Sequence, residues 1–234
     1  MLKAVFFDLD GTLLPMDEEK FVRIYFKFLF DHIKHRDYYD EQKFYADIFT
    51  GVKLMMKNDG TKTNEEVFWG FFEQEYGPKV LKDKPLFEEF YKNKFKETKF
   101  VCEENPLAKD IVSYVRKNNL KCILSTNPIF PQVGTETRMS FIGLNEDDFD
   151  YVTTYENTSF AKPNPKYFET LLNKFNLKPE EVILFGNNTT EDYDCASKAN
   201  IKCYLVGNHI IGDVSNLDLI KMDEIIPVIE SHLK

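Results

Sequence analysis

Two aspartates separated by a single leucine, Asp8 and Asp10, end an apolar run near the start of the chain, in the sequence AVFFDLDGTLL. Alternate side chains of an extended chain share a face, so both carboxylates point the same way where the run ends. Carboxylates this close repel each other unless a divalent cation neutralises them or one of them stays protonated. Ligands of open α/β sheets bind at the carboxyl ends of the strands. The pair therefore marks a candidate active site.

The pattern Asp-x-Asp-Gly also occurs in structural turns and in calcium-binding loops. A calcium loop would continue with further oxygen ligands, including Asp or Asn at its fifth position. The chain instead continues as DLDGTLLPMDEE, with threonine at that position, and it is preceded by a strand-like run. This context favours an active site over both structural alternatives.

The overall composition is typical of a globular protein that acts on small molecules. The 234 residues are 43% hydrophobic, which is enough for a buried core and a second, smaller domain. The net charge of −9 repels nucleic acids and anionic membranes. No apolar stretch approaches the roughly 20 residues that span a bilayer, and the first residues meet a charge too early for a signal peptide. We therefore expect a cytoplasmic protein that binds neither nucleic acid nor membrane.

The four cysteines are predicted to be buried free thiols. Cys102, Cys122, Cys195 and Cys203 form neither a Cys-x-x-Cys pair nor a zinc-ligand spacing. Two of them lie within strand-like runs, where a free thiol packs as a small apolar side chain.

Outside residues 15–98, short strand-like runs alternate with stretches typical of helices. This alternation predicts an α/β fold, with a Rossmann-like parallel sheet flanked by helices over residues 1–14 and 99–234. The predicted strands are residues 3–8, 121–126, 151–154, 182–185 and 202–206.

Two Asn-Pro pairs predict where the helices between these strands begin. Asn105 is followed by Pro106, and Asn164 by Pro165. Asparagine is a preferred N-cap, and proline is favoured at the first helical position. Both asparagines are therefore predicted to be N-caps.

Residues 15–98 are predicted to form an α-helical cap domain inserted after the first strand. They contain no convincing strand, and their aromatic residues recur at the three-and-four spacing of amphipathic helices, as between Phe21 and Leu29. Such stripes could form a ligand cage but are more typical of core packing. The segment KNDGTKTN predicts a turn, with Thr63 or Asn64 as the next N-cap.

The segment FFDLDGTLL resembles the first motif of the haloacid dehalogenase superfamily, whose members are mostly phosphatases that form an aspartyl-phosphate. The resemblance implies that Asp8 is the nucleophile that attacks phosphorus. It implies that Asp10 protonates the leaving alkoxide and later activates the hydrolytic water. The stretch QVGTETRMSFIGLNEDDFDYV also resembles the family's link between its second and third motifs. The resemblance covers residues 1–14 and about 100–207.

The family's second and third motifs also have counterparts in the chain. CILSTN places Thr126 at the end of a predicted strand and Asn127 after it, which implies that this segment binds the phosphoryl group. Ser125 is disfavoured because it faces the other way. FAKPNPKYF supplies Lys162, whose ammonium would balance Asp8 and the bound phosphate.

The fourth motif departs from the family pattern. The family usually has Gly-Asp after a buried strand, whereas this chain has VILFGNNTTEDYDC, with Asn187 at the metal-binding position. A contact pair of unit charges is worth about 4 kcal/mol at an effective dielectric of 20, so the missing charge should weaken ion binding. The resemblance implies a weak magnesium site formed by Asp8, Asp10, Asn187 and Asp192, with Glu191 in reserve.

Taken together, the resemblance implies a magnesium-dependent phosphatase acting on a small phosphomonoester, with the cap closing over the sheet edge. A phosphomutase, which would pass the phosphoryl group to a sugar, is not separated from this by the sequence. Asn187 leaves open a binding or regulatory protein that has lost efficient catalysis. Dehalogenation is disfavoured because dehalogenases lack the acid that Asp10 supplies. The substrate and the oligomeric state are not predicted.

Overall fold

The computed structural model describes residues 1–215, 217 and 219–233 and contains a six-stranded sheet. Residues 216, 218 and 234, which fall within the predicted core domain, lie outside the described residues. The strands are β1 Ala4–Phe7, β2 Lys121–Leu124, β3 Tyr151–Val152, β4 Val182–Gly186, β5 Lys202–Val206 and β6 Leu219–Ile220. All pairs are parallel, in the order β3-β2-β1-β4-β5-β6. The predicted α/β fold with a parallel sheet is confirmed.

Strand β1 lies at the centre of the sheet and sets where the functional residues emerge. All four of its residues are buried, because helices cover both faces of a parallel sheet. Phe7 pairs with Leu124 of β2 and with Phe185 of β4. The residues that follow these three strands therefore leave the sheet side by side at one edge.

The helices fall into two groups along the chain. The first four lie between β1 and β2 and confirm the predicted helical insertion after the first strand. The fifth leads directly into β2, and the later helices follow β2. Within the described ranges, none of the helices is long and apolar enough to span a membrane. The helices are α1 Glu18–Ile33, α2 Glu41–Met56, α3 Asn64–Tyr76, α4 Lys84–Lys92, α5 Ala108–Lys117, α6 Gln132–Ser140, α7 Lys166–Lys174, α8 Cys195–Lys198 and α9 Ile225–Leu233.

The two connections between the sheet and the helical insertion run side by side. Met16 and Cys102 form an antiparallel bridge, and the Glu103 main-chain N–H donates to the Pro15 carbonyl at 2.8 Å. The insertion thus enters and leaves through one paired crossing. The predicted domain boundaries, after residues 14 and 98, remain a prediction.

The helix N-termini correct part of the sequence prediction. Asn105 is not an N-cap: α5 begins three residues later, because the Asn105 side chain bonds instead to Leu107 N and to the Leu13 carbonyl. Asn164 is not an N-cap either: the N-cap position of α7 is the next residue, Pro165. The Asn164 side chain nevertheless accepts from Lys166 N. In a proline-led first turn the asparagine closes a local turn before the helix starts.

The cap of α3 confirms the prediction for the segment KNDGTKTN. The Thr63 hydroxyl accepts from Glu66 N, and the Glu66 carboxylate accepts from Thr63 N, so the two form a capping box. The cysteine prediction holds for three residues, which are buried and free, whereas the free thiol of Cys102 is only half-buried.

Candidate active site

A tight turn after β1 presents the two aspartates at the sheet edge. The Asp8 main-chain N–H still donates to Phe185 in β4, at 2.8 Å, and the chain then turns through Gly11 at φ +75°. A Cβ atom at this glycine would lie 2.0 Å from the Asn187 side-chain nitrogen. Position 11 therefore requires glycine both for its conformation and for the close approach of the loop after β4.

Lys162 joins the loops after β1 and β4 through its ammonium group. Its side chain is fully buried, and Nζ lies 2.9 Å from Asp8 Oδ1 and 2.5 Å from Asp192 Oδ1. Burial alone would lower the pKa of Lys162, but the charges of Asp192 and Asp8 outweigh it and raise that pKa well above its ordinary value. The lysine therefore remains charged at neutral pH and faces the predicted nucleophile.

The environment of Asp8 is set by burial and by three charged neighbours. Burial raises the pKa of Asp8, the charge of Lys162 opposes that shift, and Asp192 and Asp10 add to it. The second carboxylate oxygen accepts from the Thr12 hydroxyl at 3.2 Å. Each oxygen of Asp8 thus has one donor, which holds the carboxylate in a defined orientation.

Arg138 in α6 is a site residue that the sequence analysis missed. It is fully buried and forms an ion pair with Asp10 Oδ2, while its guanidinium lies 4.0 Å from the centre of the Phe130 ring. The other oxygen, Asp10 Oδ1, is buried and accepts no hydrogen bond from the described residues. Burial raises the pKa of Asp10, and Arg138 opposes that shift. One oxygen is thus held while the other is available to carry a proton.

Thr126 and Asn127 follow β2 and line the same cavity as the aspartates. The Thr126 carbonyl accepts from the Tyr167 hydroxyl at 2.9 Å, which fixes the strand end. The Asn127 amide donates to Glu191 Oε2 at 2.7 Å, and its carbonyl oxygen is buried without a partner among the described residues. Ser125 is turned away and donates to the Phe7 carbonyl, in agreement with the sequence prediction.

Asp192 organises the loop that follows β4. Its Oδ2 accepts from the main-chain N–H groups of Asn187 and Asn188, each at 3.0 Å, and its Oδ1 binds Lys162. Both carboxylate oxygens are therefore engaged within the protein. Its predicted role as a metal ligand remains a prediction.

Asn187 is paired with a glutamate from the helical insertion. Its side-chain nitrogen donates to Glu18 Oε1 at 3.0 Å and to the His209 carbonyl at 2.9 Å. Burial raises the pKa of Glu18 to about 7, and Asn187 opposes that shift. No sequence pattern pointed to this role for Glu18, because acidic residues are common in the first turn of any helix.

These residues surround a cavity of about 180 Å³ with an excess of negative charge. Ion pairs among the described residues bring two cations to it, Lys162 and Arg138. Among the described residues, no three acidic, histidine or cysteine side chains already converge as a metal cage. Magnesium needs few protein carboxylates and keeps several waters, so this oxygen-rich cavity suits it. Its carboxylates are Asp8, Asp10, Glu18, Glu191 and Asp192.

Comparison with known protein families identifies the family of this chain. A family profile described as haloacid dehalogenase-like hydrolase matches residues 5–206. The chain belongs to the haloacid dehalogenase-like hydrolase family. The family predicted from the motifs is thereby confirmed.

Known members of this family resemble the chain over most of its length. A phosphorylated carbohydrates phosphatase of Thermotoga maritima is 24% identical over 99% of the chain and all of that protein. A glyceraldehyde 3-phosphate phosphatase of Pyrococcus furiosus is 26% identical over 86% of the chain and 79% of that protein. The crystal structure of a phosphatase of this family from Thermococcus onnurineus has a TM-score of 0.60 at 18% identity and covers 98% of the chain and 97% of that protein. This last likeness supports the fold.

Proposed function

We propose that this protein is a magnesium-dependent phosphatase that hydrolyses phosphomonoesters through a phosphorylated Asp8. The observation that carries the proposal is the buried contact of Asp8 with Lys162, beside Asp10 with one unpartnered oxygen. This arrangement provides a nucleophile, a positive charge for the phosphoryl oxygens and a proton donor. The curated phosphatases in the same family support the same chemistry.

The reaction takes two displacements at phosphorus. In the first, an oxygen of Asp8 forms a bond to phosphorus while the bond to the ester oxygen breaks, and Asp10 gives its proton to the leaving alkoxide. In the second, Asp10 takes a proton from water, the water oxygen attacks phosphorus, and the bond to Asp8 breaks. Inorganic phosphate leaves, and both aspartates return to their starting states. Lys162 and Thr126 stabilise the negative charge on the phosphoryl oxygens.

The excess of carboxylates makes a divalent cation part of the proposal. A phosphate dianion would be repelled from a cavity with five carboxylates and two cations unless further positive charge were bound there. Asp8, Asn187 and Glu191 offer oxygen donors, and Glu18 adds a carboxylate next to Asn187. A bound magnesium ion would supply charge that polarises the phosphoryl group.

Two alternatives differ from this proposal in what they predict. The case for a binding or regulatory protein is weaker, because Glu18 brings a carboxyl group to the site beside Asn187. A phosphomutase would transfer the phosphoryl group to a second sugar phosphate instead of water. Incubation with one sugar phosphate separates the two enzymes, since only the phosphatase releases inorganic phosphate.

The Asp8→Asn variant tests the proposal directly. It keeps the size of the side chain but removes the nucleophilic charge, so we expect phosphate release to fall by about a thousandfold or more. Release is measured with magnesium on a panel of phosphomonoesters, and thermal unfolding checks that the variant is folded. The control is Glu19→Gln, which changes an exposed carboxylate that pairs with Arg23 on the surface of α1. If Asp8→Asn were as active as the parent protein, the assignment of Asp8 as the nucleophile would be wrong.

A further inference from the structure

A second, larger cavity lies next to the catalytic one and has a different chemical character. Its volume is about 460 Å³, which is in the range of small-molecule sites. Helices α1 to α4 and the segment after β2 form its wall, which is mostly apolar. Its aromatic residues include Tyr25, Phe68, Trp69, Phe87, Tyr91 and Phe130.

The two cavities share a wall and can be occupied by one molecule. Val22 and Val52 from the insertion and Ile129 and Phe130 from the segment after β2 line both of them. The catalytic cavity alone, at about 180 Å³, has room for little more than a phosphate group and its first carbons. A phosphomonoester held by Asp8 therefore extends its alcohol group past these four side chains into the larger cavity.

The polar side chains of the larger cavity are already paired with one another. Glu65 binds Lys84 at 2.9 Å, and Glu88 binds Lys92 at 3.5 Å. The Glu156 carboxylate accepts twice from the Gln132 main-chain N–H, at 2.9 and 3.0 Å. The four side chains of the two ion pairs are also 30–61% exposed, so they lie toward solvent and the inner lining that meets a ligand is mostly aromatic and aliphatic.

We infer that the substrate is a monophosphate ester of a bulky alcohol that is largely apolar or aromatic. This inference rests on the proposed function and specifies the leaving group. A sugar in this cavity would lose water from its hydroxyls against a wall that is mostly aromatic and aliphatic and offers few partners in exchange. An aromatic or hydrocarbon group would instead bury apolar surface and stack on the rings.

The first experiment compares two esters with the same intrinsic reactivity. The leaving group of both 2-phenylethyl phosphate and glucose 6-phosphate is a primary alkoxide, so the two esters are matched in their chemical step. Burial of the aromatic ring stabilises the bound phenylethyl ester. With magnesium, we therefore expect its kcat/KM to be at least about tenfold higher than that of glucose 6-phosphate. Equal or lower kcat/KM for that ester, with glucose 6-phosphate turned over, would overturn this inference and leave the phosphatase intact.

The second experiment measures binding without turnover. Trp69 is the only tryptophan of the chain, and it lines the larger cavity with its indole nitrogen donating to the Tyr155 hydroxyl at 3.2 Å. We expect 2-phenylethylphosphonate to change its fluorescence with saturation in the presence of magnesium, whereas methylphosphonate does not. If no ester is hydrolysed, the proposed function fails, and this titration still decides what the cavity accepts. No change with the phenylethyl compound would overturn the inference.

The third experiment narrows the passage between the cavities. Val52→Trp adds bulk at the shared wall, and we expect it to lower the kcat/KM ratio of the phenylethyl ester to methyl phosphate by about tenfold, because the methyl group stays within the catalytic cavity. The matched control is Leu54→Trp, on the same helix but exposed and lining neither cavity. An unchanged ratio in a folded Val52→Trp would count against the inference, as would an equal fall in the control.

Discussion

Glu18 and Asn187 show how a departure from a family motif can be balanced within one chain. The asparagine removes a carboxylate from the loop after β4, and the helical insertion brings another carboxylate to within 3.0 Å of its side-chain nitrogen. A neutral amide beside Glu18 donates a hydrogen bond, whereas a carboxylate there would repel it. The two residues therefore act as a pair, and changing one alone should be harmful.

Restoring the family's aspartate tests this pairing. In Asn187→Asp, the side chain loses its bonds to Glu18 and the His209 carbonyl and gains a like-charged neighbour, so we expect the unfolding free energy to fall by about 1–3 kcal/mol. The double variant Asn187→Asp with Glu18→Gln should recover stability but bind magnesium less tightly than the single one, which carries one more carboxylate. Chemical denaturation and calorimetric magnesium titration measure both effects. A single variant that matched the double in both would contradict the pairing.

Arg138 tunes Asp10, which gives a prediction about pH. The charge of Arg138 lowers the pKa of Asp10, so Arg138→Met should raise that pKa further. The first displacement needs Asp10 protonated, and activity is lost as pH rises through its pKa. The alkaline limb of the kcat/KM profile should therefore move to higher pH in Arg138→Met, and less so in Arg138→Lys. A limb that stayed in place or moved to lower pH would contradict the assignment of Asp10 as the acid.

The sequence predicted the site residues whose position along the chain fixes their place in space. Asp8 and Thr126 follow recognisable strands, Lys162 directly precedes a proline, and the structure brings them to one sheet edge. Glu18 and Arg138 could not be found in this way. Their roles depend on burial and on contacts between segments more than a hundred residues apart, which leave no local pattern.

At the scale of the elements, the turn between α2 and α3 ties the helical insertion to the core. The Asn64 side chain is fully buried and donates to the Pro128 carbonyl at 3.1 Å, and it accepts from Asn58 at 2.8 Å. The Asn64 main-chain N–H also donates to the Thr158 carbonyl. This turn thus reaches the segments that follow β2 and β3 and fixes α3 beside the larger cavity.

Asn64→Leu tests this attachment. The leucine is close in size but removes the donor to the Pro128 carbonyl and one of the two acceptors of the Asn58 amide, so we expect a loss of about 1–3 kcal/mol in unfolding free energy. Hydrogen exchange should become faster over residues 57–64. Denaturation and exchange are compared with Asn173→Ala, an exposed position on α7. Unchanged exchange and stability would show that the turn does not hold the insertion.

The elements themselves were predictable where their patterns are long, and their ends were not. Five strands were recognised from strand-like runs. Both β3 and β6 have two residues, but the sequence of β3 continues into the β-branched Thr153 and Thr154, whereas the two residues of β6 lie between charged residues in the sequence. The start of α5 was predicted at Pro106 but lies at Ala108, because the Asn105 side chain reaches the Leu13 carbonyl instead. A contact made only in the folded protein decided that boundary.

At the scale of the whole molecule, excess negative charge links ion binding to stability. The chain carries a net charge of −9, and five of its carboxylates share one small cavity. Their mutual repulsion favours unfolding, and an ion that binds the folded state alone opposes it.

Magnesium should therefore raise the thermal unfolding midpoint. At about a hundred times its Kd, an ion adds about 2.7 kcal/mol, which for a chain of this size corresponds to a shift of about 5–10 °C. Differential scanning calorimetry measures the shift, with sodium chloride at matched ionic strength as the control for screening. Asp8→Asn should show a smaller shift than the parent. Equal shifts with the two salts would mean that no specific site exists.

The paired crossing at Met16 and Cys102 has a consequence for how such a protein can change over time. Because the two ends of the intervening segment are neighbours, its replacement by a different segment leaves the separation of the flanking strands unaltered. The helices that line most of the larger cavity can therefore be exchanged as one stretch of the gene, provided that the new stretch again supplies a carboxylate in the place of Glu18.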